Sequence, residues 1–222
     1  MFPPPGYVAY GAAQLRPSRG RGTATIWLYL AITAMTVFVT ISLFWARSVL
    51  EDATADGDIG FRDWSKVTDA LDVTTGMEGA RSAIILAAII LTCLWSKRIA
   101  DNAKVRGVRN VSPGMACGGW WIPVGNIWLG WMHLRRSAAG TGTPTSHLNM
   151  WQGFALASWI FSVVLGVGAT DVDPTASSVR NASDIFLAQA VSGIFASGLL
   201  AVAAYAATKA IRELDRGVTR DT

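Results

Sequence analysis

Two histidines, His133 and His147, and two cysteines, Cys93 and Cys117, are all the chain of 222 residues offers for metal or nucleophilic chemistry of the usual kind. Neither histidine has companions at ligand spacing, and no HExxH, GxSxG, P-loop or dinucleotide fingerprint is present. No cofactor and no enzymatic activity are therefore expected. Both cysteines fall near the inner ends of apolar stretches, on the reducing side, so the reading is two thiols used for packing rather than a disulfide. The remaining chemistry is that of charges and hydroxyls. Arg98, Lys104, Arg106, Arg109, Arg135 and Arg136 flank a tryptophan-rich segment, and basic clusters beside aromatic anchors attract anionic lipid headgroups. Asn102 and Asn126 are polar groups in or near lipid that need partners, either by tying broken backbone or by joining a lipid site. Thr25, Tyr29, Thr33, Thr36 and Thr40 recur at steps of four, four, three and four, one polar stripe along a helix. Such a stripe serves helix packing through hydroxyl hydrogen bonds, or a path for a solute without charge.

The elements that must position these groups are apolar. Hydrophobic residues make up 51% of the chain and charged ones only 15%, below the quarter usual in soluble domains. Four stretches read as membrane spans, at about 23–46, 78–97, 148–170 and 185–208. The first is uncharged over 24 residues, about 36 Å of helix against a hydrocarbon core of about 30 Å. Trp27, Tyr29, Phe44 and Trp45 lie at its ends, where aromatic rings favour headgroup depth. The second is the shortest, since Arg81 and Lys97 confine its uncharged part to Ser82–Ser96, and it spans only if it begins nearer Met77. The expected architecture is all-α and integral to the membrane, a four-helix domain over 23–209. A disordered Pro/Gly-rich tail over 1–22 precedes it and a short tail over 210–222 follows.

Charge orients these spans. With the N-terminus inside, the inner segments carry 14 of the 19 Lys and Arg residues, and the outer segments 47–81 and 171–184 carry 11 of the 15 acidic ones. The basic asymmetry places both termini in the cytoplasm, by the positive-inside rule. It also accounts for the basic residues without a nucleic-acid partner. Within 47–81, Phe61, Trp64, Val67 and Leu71 are spaced as one face of a short amphipathic helix, expected to rest on the bilayer surface or on the bundle.

Ser112 to Arg136, SPGMACGGWWIPVGNIWLGWMHLRR, holds Trp120, Trp121, Trp128 and Trp131 within twelve residues, with Pro123 between two glycine-containing halves. One continuous helix from Gly114 to Leu134 would be long enough to span, but it would send one basic flank outside. A re-entrant or interfacial hairpin over 112–136, broken at Pro123, keeps both flanks inside. The run from Trp95 to Arg136 resembles the signature of an actinobacterial membrane family catalogued as domain of unknown function 4328. Arg98 and Asn102 stand as in R-x-x-x-N-A. Ser112-Pro113-Gly114, Trp120, Trp121, Pro123, Asn126 and Trp128 stand as in S-P-G-x-A-x-x-G-W-W-x-P-x-x-N-x-W. Where the family tends to have a Pro-Tyr pair after the last tryptophan, this chain has Gly130-Trp131. The resemblance implies a multi-pass protein of a bacterial cytoplasmic membrane and carries no activity with it.

The last span offers Ala188, Ser192 and Ala196 on one row and Gly193, Ser197 and Ala201 on another, small residues that let helices approach closely. The function expected is a non-catalytic scaffold, assembly factor or regulatory partner of a membrane complex. The alternative is a channel or carrier for a neutral or lipidic solute. The partners expected are the bilayer, its anionic headgroups at Lys104, Arg106, Arg109, Arg135 and Arg136, and a second membrane protein.

Overall fold

The computed structural model describes residues 15–55, 59–121, 128–164 and 172–219. Six helices carry these residues, and no strand occurs among them: α1 Arg19–Ala53, α2 Phe61–Val105, α3 Pro113–Gly118, α4 Leu129–Gly140, α5 Ser146–Val164 and α6 Ala176–Thr219. Three of the six, α1, α2 and α6, are long and apolar enough to cross a membrane. The expected third span falls on α5, which has 19 residues and is not one of these three, while 165–170 lie outside the described residues.

Helices outlast their apolar stretches at both ends. The amphipathic segment around Val67 is not a separate surface element, as its spacing suggested. It forms the first turns of α2, which runs unbroken for 45 residues. Gly76, Glu78, Gly79 and Arg81 lower the hydropathy there without breaking the helix, because isolated glycines cost only about 1 kcal/mol each and Glu78 and Arg81 pair across 3.0 Å at a favourable spacing of three. The short second span thus gains its missing length from its own N-terminal side. Residues 15–22, expected in the tail, include the buried Ser18 and the first turn of α1. At the other end Ile211 and Leu214 are buried on α6, beyond the boundary expected at 209.

Glycine sets two of the helix ends. Gly107 (φ 82°) and Gly142 (φ 67°) adopt the left-handed conformation that side chains resist. After each, the next amide reaches back five residues, Val108 to the Ala103 carbonyl at 3.0 Å and Thr143 to the Ala138 carbonyl at 2.8 Å, closing α2 and α4 as Schellman motifs. The start of α6 is fixed by Thr175, whose Oγ1 accepts from the Ser178 amide at 3.3 Å.

The chain forms two compact units. The first comprises residues up to Ile26, Ile89–Asn149 and the chain from Ala206. The second comprises Trp27–Ala88 and Met150–Tyr205. In the first, Trp95, Ile99, Leu134, Leu148, Ile211 and Leu214 are almost fully buried. In the second, Val39, Leu43, Ala46 and Leu50 of α1, Val67 and Ala70 of α2, and Val179, Ala182, Phe186 and Ala190 of α6 form one apolar cluster.

Candidate functional site

The signature residues assemble in the first unit. Ser112 caps α3, its Oγ accepting from the Met115 amide at 3.4 Å with Pro113 in the first turn, where a missing N–H costs nothing. The Ser112 amide donates to Nδ1 of His133 on α4 at 3.3 Å. On α2, Ser96 Oγ donates to the Ala116 carbonyl at 2.7 Å and accepts from Trp120 Nε1 at 3.1 Å. Trp120 meets Trp131 edge to face, with ring centroids 4.9 Å apart. A Cβ on residue 130 would lie 2.6 Å from Trp120 Cε2, so the ring requires glycine there. Gly130 and Trp131 are thus the pair that holds the buried Trp120 ring. Trp121 and Trp128 stay exposed at 53% and 60%. The four tryptophans therefore divide into an inward pair and an outward pair.

No continuous helix joins Gly114 to Leu134, since α3 ends at Gly118 and α4 begins at Leu129. Pro123 and Asn126 lie outside the described residues. Cys93 of α2 and Cys117 of α3 are joined by a disulfide across 24 residues, with Cα atoms 4.3 Å apart. This corrects the reading of two separate thiols. That reading weighed the compartment alone, whereas the contacts that seat Ser96 on Ala116 also bring the two sulfurs face to face.

Asn102 is 1% exposed and clamps backbone, although not within the tryptophan segment. Its Nδ2 donates to the Arg16 carbonyl at 2.8 Å and its Oδ1 accepts from the Arg16 amide at 3.1 Å. Both hydrogen-bonding groups of one residue 86 positions away are satisfied by a single amide, as a strand partner would do. Nearby in the chain, Ser18 Oγ donates to Asp215 Oδ1 at 2.6 Å, and Trp95 Nε1 donates to the same oxygen at 3.2 Å. Asp215 is 8% exposed and anchors both. Sequence reasoning singled out neither Asp215 nor Ser18, and their separation of 197 positions leaves no local signal. His147 and Glu213 add a contact of 3.0 Å between α5 and α6.

The basic residues expected to ring the segment do not act alike. Arg106 Nη1 donates to the Gly217 carbonyl at 2.8 Å and Arg136 Nη1 to the Asn110 carbonyl at 3.1 Å, which gives both structural work. Asn110 itself has φ 61°, a strained position whose carbonyl that guanidinium secures. Arg135 is half-buried, while Lys104 and Arg109 are exposed. Burial, together with the like charge of Arg136, holds the His133 imidazole below its ordinary range, which suits the acceptor role of Nδ1.

The second unit contains a cavity of about 340 Å³. Thr36, Val39, Thr40 and Leu43 of α1, Leu71, Thr74, Thr75, Glu78 and Arg81 of α2, Ser162 of α5, and Phe186, Gln189, Ser192, Gly193 and Ala196 of α6 line it. The threonine stripe divides here, because only Thr36 and Thr40 of its members reach this wall. Thr36, Thr40 and Thr74 each donate to the carbonyl four residues earlier at 2.8 Å. Ser192 Oγ donates to the Phe161 carbonyl at 2.9 Å. A hydroxyl that donates to a carbonyl still has lone pairs to accept with, so the lining residues offer acceptors beside the donors of Gln189 and Arg81. Glu78 and Arg81 neutralise each other, and the lining has no excess charge. Val39, Leu43, Leu71 and Phe186 supply an apolar side. Among the described residues no group of three or more His, Cys, Asp or Glu side chains is placed to hold a metal ion.

Three of the small residues of α6, Ser192, Gly193 and Ala196, are engaged within this unit, while Ala188 and Ala201 are exposed. Ser192 meets α5 as above, Ser158 of α5 donates to the Ala196 carbonyl at 3.3 Å, and Gly193 abuts the side chain of Thr40. No family model, no curated protein and no solved structure matches this chain.

Proposed function

We propose that the chain is a multi-pass membrane protein that binds an uncharged, hydroxyl-bearing amphiphile in the cavity of its second unit and acts as its carrier or channel. The cavity carries the reading. Its size sits at the lower end of small-molecule sites, its lining joins many oxygen acceptors to an apolar wall, and its single ion pair is internally neutral. A charged solute would leave its own charge unmatched there, at a cost that excludes it. A scaffold role in a larger complex is the second reading. Ser192, Gly193 and Ala196 of the small-residue rows that favoured it already serve internal packing, while Ala188 and Ala201 stay exposed and can still meet a partner.

In this reading α1, α2 and α6 span, α5 together with 165–170 supplies a fourth span, and 112–136 forms a re-entrant or interfacial hairpin. An even number of spans with the basic residues inside puts both termini in the cytoplasm of a bacterial cell. Kinship with the actinobacterial family rests on the motif. The test uses mono-octanoylglycerol, which has two hydroxyls and a short chain, with the purified protein in lipid discs and in liposomes. Thr36→Val and Thr40→Val each remove an oxygen from the wall, and each is expected to weaken binding about tenfold, the equivalent of one hydrogen bond of about 1.4 kcal/mol, with the melting transition retained. Unchanged binding and flux in folded variants would return the weight to the scaffold reading.

A further inference from the structure

Of the R-x-x-x-N pair on α2, Asn102 has a structural task and Arg98 has none. Residues 94, 98 and 102 are spaced by four and share one face of α2 over two turns, about 12 Å. At one end of that row, Arg21 Nη1 donates to the Leu94 carbonyl at 3.2 Å. At the other end, Asn102 holds the backbone of Arg16. Arg98 sits between them, within range of the charges of Arg21 and Arg16, with Asp101 as the opposing carboxylate. The charges of Arg16 and Arg21 therefore bear on Arg98 from the two ends of this row, while one carboxylate offsets them. The Nε and Nη1 of Arg98 are covered and find no hydrogen-bond partner, whereas the side chains of Arg16 and Arg21 are exposed. Gathering like charges is unfavourable, and a buried guanidinium donor without an acceptor is more so. The Leu94 carbonyl holds the guanidinium of Arg21, and the amide of Asn102 holds the backbone of Arg16.

We propose that Arg16, Arg21 and Arg98 form a binding site for a phosphate group. A phosphate oxyanion supplies what the row lacks, oxygen acceptors for the guanidinium of Arg98 and negative charge for all three. Asn102 acts as a positioning residue, because without its clamp Arg16 is not held beside Arg98. The site lies wholly in the first unit and does not depend on the solute reading of the second. It shares Arg98 with the ring of basic residues expected around the tryptophans but takes Arg16 and Arg21 from outside that ring, of which Arg106 and Arg136 are engaged with carbonyls. The phosphate belongs either to an anionic lipid of the bilayer or to a soluble phosphate compound.

The test uses the full chain in discs of phosphatidylcholine and follows the thermal midpoint in two series. One raises inorganic phosphate in the buffer, and the other raises the fraction of phosphatidic acid in the disc. The wild-type midpoint is expected to rise in at least one. A response to inorganic phosphate assigns a soluble source, and a response confined to phosphatidic acid assigns the bilayer. Arg98→Gln is expected to weaken the response about tenfold, the scale of a charge-assisted contact. Arg21→Gln, whose exposed side chain makes it the safer variant if Arg98→Gln fails to fold, is expected to do the same. Arg212→Gln and Arg216→Gln remove equal charge from exposed positions on α6 and are expected to weaken it less than about threefold. No response in either series overturns the proposal. So does equal weakening by the α2-row and α6 variants, which is general attraction of a basic protein to anions.

Discussion

Replacing Gly193 by alanine tests the packing on which the cavity depends. A Cβ there collides with Thr40 Oγ1 and lies 3.2 Å from both Thr40 Cβ and Cγ2. Thr40 cannot simply rotate away, since it is 7% exposed and its hydroxyl is committed to the Thr36 carbonyl at 2.8 Å. Forcing an extra carbon into such a contact costs about 1–3 kcal/mol, and losing the hydroxyl bond adds about 1 kcal/mol. The better helix propensity of alanine returns about 1 kcal/mol. The net expectation is destabilisation by about 1–3 kcal/mol, a fall of several degrees in the melting midpoint for a chain of this size. Two comparisons isolate the cause. Gly198, on the same helix, has nothing within 4 Å of a built Cβ, so Gly198→Ala is expected to be neutral or stabilising by up to about 1 kcal/mol. In a Thr40→Ala background the collision partner is gone, and Gly193→Ala there is expected to lose most of its cost, a coupling of about 1–3 kcal/mol. Melting curves of the four variants in lipid discs supply every term. A Gly193→Ala protein as stable as Gly198→Ala, with no coupling to position 40, would refute the close approach of α1 and α6 at the cavity wall.

Three other outcomes are expected. Asn102→Leu removes both contacts to Arg16, so amides of 15–18 should exchange with solvent much faster while those of α5 are unchanged; equal protection in the two proteins would argue against the clamp. His133 is held below the ordinary imidazole value near 6.5. As pH falls the unfolded chain therefore takes up the proton first, so this group's stabilisation is complete above about pH 6.5 and declines as pH drops through and below that value. His133→Asn, which can still accept from Ser112, should flatten this part of the profile of melting midpoint against pH, and a slope identical to wild type would show that His133 does not carry it. Cys93 and Cys117 should resist maleimide until reduced, and loop closure over 24 residues implies about 3 kcal/mol lost in the Cys93→Ser, Cys117→Ser double variant; immediate labelling of two thiols in protein purified without reductant would contradict the link.

The apolar runs of α1 and α6 were legible because an uncharged run of twenty or more residues has few alternatives, whereas α2, uncharged only over Ser82–Ser96, draws the rest of its length from the turns before Arg81. Helix ends were not, because a helix continues through charged residues wherever its neighbours satisfy them, as at Glu78–Arg81 and in the last turns of α6. The period of Phe61, Trp64, Val67 and Leu71 was read correctly as helical, but nothing local said that Gly76 and Gly79 would be spanned rather than used as breaks. Thr36 and Thr40 were visible as part of a stripe, and the cavity wall bears out their common face while leaving Thr25 in the other unit. The partners of Asn102 and Asp215 lie 86 and 197 positions away. Only tertiary packing could pair them. The disulfide was not legible because compartment says only whether thiols can stay reduced, whereas proximity decides which sulfurs meet.

The lengths of the three long helices bear on how the protein meets bilayers of different thickness. Trp27 and Trp45 are exposed at 67% and 45% on α1, and 18 residues of helix separate them by about 27 Å, close to the hydrocarbon depth of about 30 Å. By contrast α2 and α6, with 45 and 44 residues, extend about 66 Å, more than twice that depth. Their surplus lets the water line move along them without stranding an apolar end. Among the described residues of these three helices, α1 alone carries an exposed tryptophan toward each end of its apolar run, so for a chain that spans a bilayer a change in thickness would be taken up there, as tilt.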